Sequence, residues 1–219
     1  MKAALFLLAL AHFTAADTLD RIAITVGNQA ITETQIDRDI EMAALINGTA
    51  PDFSTGSRLK AASRLVEQAF VRREMNFGAY PTVPEKQVEE ALASTEKTIG
   101  SENMAKRLAD YGLTRKDLEE YLRWQLDLLK FIDLRFRPGV QVTESDIESY
   151  FKQTFAAKGG KTPDLAALHD QIEQKLTDER ADQQVDQWLR QTRRRVPVRY
   201  LDPSLQPPPD DKPSATLAN

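Results

Sequence analysis

Between Thr114 and Pro138-Gly139 the chain carries an apolar stripe too wide for a single partner. Leu118, Leu122, Leu126, Leu129 and Ile132 recur at helical spacing, and Tyr121, Trp124, Leu128 and Phe131 extend the arc to either side. A helix with so broad an apolar face must be covered from more than one direction. The segment is therefore predicted to be a helix from a Thr114 cap to about Arg137, and to act as the central strut around which the rest folds.

The flanking sequence supplies the covers. Ile22–Val26 reads as a short strand, Gly27-Asn28-Gln29 as a turn and Ala30-Ile31 as a second strand. Two strands alone are not stable. Thr32 with Gln35 fits a capping box, opening a helix through Ile36, Ile40 and Ala44 that ends at Asn47-Gly48. Ser57 opens the next, which ends by Gly78, with Leu59, Ala62, Val66, Ala69 and Phe70 on one face and Arg58, Lys60, Arg64, Glu67 and Arg72 mostly on the other. Further helices are expected over 84–99 and 102–111, and from Thr143-Asp146 through Ile147, Tyr150 and Phe151. A long one runs from Pro163 to about Arg195, apolar at both ends and polar from Thr177 to Gln184. Val196–Leu201 reads as a third strand, placed at an edge by Pro197. The fold class expected is mainly α: a multi-helix core with a small β element formed by the N-terminal strand pair and the C-terminal strand.

Met1-Lys2 followed by the apolar run 3–11 and the small residues Ala15-Ala16 matches a secretory leader cleaved near Ala16. The run is too short for a permanent membrane anchor. Export without any cysteine implies stability from packing alone, with no disulfide, thiol chemistry or thiolate metal site. The formal charge is −4, and losing Lys2 with the leader makes it more negative. That balance argues against a nucleic-acid partner, and Arg193-Arg194-Arg195 reads as a capped helix end.

No constellation for catalysis emerges. Gly159-Gly160 lacks the context of a phosphate loop. His169, the one histidine beyond the leader, has no identifiable oriented partner. Asp37, Asp39 and Glu41, and Glu119-Glu120, read as solvated helix faces. The expectation is a non-enzyme with no cofactor, no metal and no catalytic residue. The residues singled out for binding a partner are Met42, Met75 and Met104, because methionine adapts to varied surfaces, and Phe53, Phe77 and Tyr80, which fall in or beside predicted loops.

Several phrases, in order, resemble the SurA-like family of periplasmic chaperones. Ile22–Thr32 resembles its opening strand–turn–strand. Tyr111-Gly112-Leu113-Thr114 with Leu118, Tyr121, Leu122 and Leu126 resembles its long central helix. Val142–Tyr150 looks like the lead-in to a parvulin prolyl-isomerase domain, and Ile172 through Trp188-Leu189 to Leu201 resembles the helix and strand that follow one. Such a domain needs on the order of a hundred residues, and only Lys152 to Thr162 lies between the two phrases. Between the leader (1–16) and a tail (202–219) whose Pro- and Asp-rich composition reads as disordered, the resemblance thus implies a helical N-terminal domain (17–151), a linker (152–162) where the isomerase is missing, and a helix and strand (163–201) completing the core. Its functional implication is periplasmic binding of unfolded or nascent outer-membrane proteins, with no nucleic acid or membrane anchor and a possible homo-oligomer. A single-partner envelope adaptor and a degenerate prolyl isomerase are the rival readings.

Overall fold

In the computed structural model, which describes residues 20–155 and 163–207, the wide-striped segment is helix α5 (Arg115–Arg135). Thr114 and Asp117 cap it reciprocally: the Asp117 N–H donates to the Thr114 hydroxyl at 3.1 Å, and the Thr114 N–H to the Asp117 carboxylate at 2.7 Å. Two donors left orphaned by helix geometry are thereby satisfied. The helix stops short of Arg137 because the chain tightens there into a 3-10 turn, Arg137–Gly139.

α5 buries residues in two apolar clusters, as its width requires. Trp124, Leu128 and Phe131 enter the larger, together with β1 (Ile22–Val26), β2 (Gln29–Thr32), α1 (Glu33–Asn47) and α2 (Thr55–Phe77). Leu118 enters the smaller, with the end of α1, α3 (Glu85–Ile99) and α4 (Ser101–Asp110). The expected stripe is displaced on its surface. Its deepest side chains are Leu118, Trp124, Leu128 and Phe131, whereas Leu122 and Leu126 are half-buried and Leu129 is 52% exposed.

After α6 (Glu144–Thr154), the long helix α7 (Leu165–Arg195) returns the C-terminal sequence to the N-terminal part. Val185 and Leu189 join the larger cluster. β3 (Val198–Tyr200) then pairs antiparallel with β1, giving the order β2-β1-β3. Its register sets Val198 opposite Val26 and Tyr200 opposite Ile24. Pro197 lies just before this edge strand and accepts from Gly27 N–H through its carbonyl at 2.9 Å, so its missing donor costs no ladder bond. Among the described residues the chain is thus mostly helical, with seven α-helices and one small sheet.

The polar middle of α7 is not simply solvated. Ala181 is buried, Asp178 pairs with Arg137 at 2.7 Å, and Arg180 pairs with Asp146 at 2.8 Å. The chain joining α5 to α6 thereby lies against it.

Several expectations need correction. α2 begins two residues before Ser57, because Ser54 accepts from the Ser57 N–H and caps it. Lys152–Thr154 are the last turn of α6 rather than linker, since the Phe155 N–H still donates to the Phe151 carbonyl at 2.9 Å. Ordered structure continues past Leu201: Asp202 caps a 3-10 turn, Pro203–Leu205, that drives Leu205 into the larger cluster with 1% of its surface exposed. Glu67, assigned to the polar face of α2, is buried. The leader, the Gly159-Gly160 joint and the tail from 208 lie outside the described residues.

Candidate functional site

The features selected for partner binding part company in the structure. Met42 and Met104 lie in the smaller cluster and Met75 in the larger, all buried. Their flexibility fills gaps in the core and does not face a partner. Tyr80 is half-buried, with its ring edge-on to Phe131 (5.0 Å between centroids) and its hydroxyl accepting from Arg135 at 3.0 Å. Phe53 is 47% exposed and Phe77 is 90% exposed, but neither lines the apolar groove between α3 and α5. Phe77 ends α2 at a tight reversal in which Ala79 has φ +50°, a left-handed conformation that costs a residue with a Cβ about 1 kcal/mol.

An apolar hollow lies elsewhere among the described residues, between α3 and α5 with the end of α1 closing one side, and has a volume of about 450 Å³. That falls within the range of ligand pockets, roughly 300–1,000 Å³. Its origin is a change of residue size along α3. Val88 and Leu92 are large and buried. Beyond Leu92 the α3 wall is Ser94, Thr95 and Thr98, too small to fill the gap to α5, with Ile99 closing the helix end. The opposite wall is the half-open stripe of α5, with Leu122, Leu129 and Ile132 and the polar Gln125.

The electrostatics of the groove are neutral. None of its lining residues is charged. The threonine hydroxyls are spent on their own helix, Thr95 Oγ1 donating to the Ala91 carbonyl at 2.8 Å and Thr98 Oγ1 to Ser94 at 2.9 Å, which leaves methyl groups for an occupant. Burial pushes the Tyr121 phenol upward, with Asp39 adding to the effect. An arrangement of this kind can bind uncharged apolar groups.

Most of the polar candidates have structural partners. Asp37 pairs with Arg58, and Asp39 with Arg64, tying α1 to α2. Burial raises the Asp39 carboxyl although Arg64 opposes the shift. Glu119 pairs with Arg123 within α5 at 3.3 Å. His169 sits between two carboxylates: Nδ1 is 3.2 Å from Asp170, and Nε2 is 3.2 and 3.1 Å from the two oxygens of Glu144. Both raise its pKa, Asp170 the more. His169, Asp170 and Glu173 place ligand atoms within 4.8 Å of one another at the exposed start of α7.

Two buried carboxylates escaped sequence reasoning. Asp127 accepts from the Val83 N–H at 2.7 Å and so holds the extended connection from α2 to α3 against α5. Its only signal is a lone acid inside Leu126-Asp127-Leu128-Leu129. Glu67, on the face of α2 toward α7, has no comparable signal.

No family model matches the chain, and no curated protein matches it.

Proposed function

We propose that the protein is a chaperone-like holder of unfolded polypeptides in the periplasm, acting without nucleotide or isomerase activity. The observation that carries this reading is the neutral groove between α3 and α5, in which Leu129 remains half exposed. Unfolded chains offer apolar side chains in no fixed order. A lining of aliphatic and methyl groups accepts any of them, whereas placed charges would select among them. Each leucine-sized anchor contributes roughly 1.5–3 kcal/mol. Two anchors in a groove of this size therefore give weak, reversible binding once the cost of association is met.

The order of sequence phrases supports the same reading, since it resembles the SurA-like chaperones. That resemblance points to outer-membrane proteins as the clients. The test is light scattering from a denatured outer-membrane barrel diluted into buffer with stoichiometric amounts of residues 17–219. The protein slows aggregation, and Leu129→Asp, which sets a charge in the groove at an exposed position, removes most of the effect. No protection at several-fold excess overturns the reading. Capture of one dominant periplasmic partner, rather than a spread of barrels, would replace it with a single-partner adaptor.

A further inference from the structure

The seam between α2 and α7 holds an ionisable group that the proposed function does not use. Glu67 lies in the middle of α2 with only 2% of its surface exposed. Its Oε1 makes no hydrogen bond, and neither does Nη2 of Arg193, although the two atoms are 3.9 Å apart. Opposite charges attract at that separation, but it is too long for a hydrogen bond. Each atom therefore keeps the cost of burial without its compensation.

The surrounding charges do not resolve this. On α7, Arg193 favours ionised Glu67 and Asp186 opposes it; on α2, Arg64 favours it but is already engaged by Asp39 on α1. Tyr200 on β3 lies close enough for its phenol to be raised in part by Glu67. Asp202, beyond β3, is held low first by its hydrogen bonds from Ser204 and then by Arg58 and Arg21. Burial outweighs the cations and pushes the Glu67 carboxyl up to about 7.

We propose that Glu67 is a proton-controlled latch on this seam: its uncharged acid lets the C-terminal half of α7 and β3 stay seated, and its ionisation loosens them. A folded-state pKa above the ordinary value means that the stabilisation is complete below that ordinary value and is lost as pH rises through the folded one. Loosening lifts Val185 and Leu189 from the larger cluster and Trp188 from Phe131 and Phe136, 5.9 and 6.0 Å away between ring centroids. Apolar surface distinct from the α3–α5 groove becomes accessible. The latch stands whether or not the groove binds clients.

Amide hydrogen exchange of residues 185–200, corrected for intrinsic rates, tests it. With a carboxyl moved from 4.5 to about 7, linkage makes the opening constant of this segment rise roughly tenfold between about pH 6 and about pH 8.5. Glu67→Gln abolishes that rise. Arg193→Met, which removes the favouring cation but leaves the acid, moves its midpoint to higher pH and serves if the glutamine variant folds poorly. An opening constant that is flat or falls with pH, a rise that persists in Glu67→Gln, or a midpoint unmoved in Arg193→Met overturns the latch.

Discussion

Replacing Leu205 with alanine separates a structured C-terminal turn from a dispensable tail. Leu205 follows the last strand, in a stretch where proline and aspartate dominate, yet its side chain is 1% exposed in the larger cluster. The turn that aims it is built locally. The Asp202 carboxylate accepts from the Ser204 N–H at 2.9 Å and from its hydroxyl at 2.7 Å, and the Leu201 N–H donates to the Ala23 carbonyl at 2.8 Å. A fully buried leucine truncated to alanine loses its transfer energy and leaves a cavity, costing about 2–5 kcal/mol. The short 3-10 turn that carries Leu205 can partly collapse, which places the expected loss near 3 kcal/mol. For a domain of this size that lowers Tm by roughly 6–12 °C. The assay is urea and thermal unfolding followed by circular dichroism, with exposed Gln206→Ala as the control. A loss below about 1 kcal/mol, or equal losses at Leu205 and Gln206, would refute the claim that this turn belongs to the core.

Other outcomes follow from the same contacts. Asp127→Ala leaves the buried Val83 N–H without its acceptor and lowers unfolding free energy by about 1–3 kcal/mol, while Asp127→Asn, which keeps an acceptor oxygen, costs less. Thr114→Ala removes the cap of α5 and costs about 1 kcal/mol, again read by urea unfolding. Glu144→Gln weakens one of the two carboxylate contacts that raise His169, so the imidazole titrates at lower pH by NMR. Because that pKa is raised in the folded protein, its small contribution is present below the ordinary value and fades as pH climbs through the folded one. Asp146 runs the other way: Arg180 and Thr143 hold it well below the usual carboxylate range. Its contribution is present above the ordinary value and is lost as pH falls toward the folded one, and Arg180→Ala makes the α6 end of the fold less resistant to acid, as followed by exchange of α6 amides.

How much of this was legible depends on the range over which each interaction acts. Thr32 with Gln35, Thr114 with Asp117 and Thr143 with Asp146 could be read as helix starts because a capping box closes over three residues of chain. The three weak strands could be read because each alone has unsatisfied edges and needs another. The groove could not. Leu122 and Leu129 have the spacing of core residues, and whether they meet a leucine or a threonine across the gap is decided by α3, roughly thirty residues earlier in sequence. The methionines failed as candidates for the same reason: adaptability suits a gap in a core as well as a partner surface.

By itself, then, the sequence determined which segments become helices and, to within a few residues, where they start, that α5 must be covered on two sides, and that the C-terminal strand has N-terminal strands to join. Those features follow from backbone hydrogen bonding and from the width of an apolar arc, both properties of short windows. Only tertiary structure decided that Glu67 and Asp127 are buried, that Leu205 closes the core, and that small side chains on α3 leave a groove beside α5. Burial is settled by what arrives from distant parts of the chain, and an amphipathic pattern records a preference for cover without naming the cover.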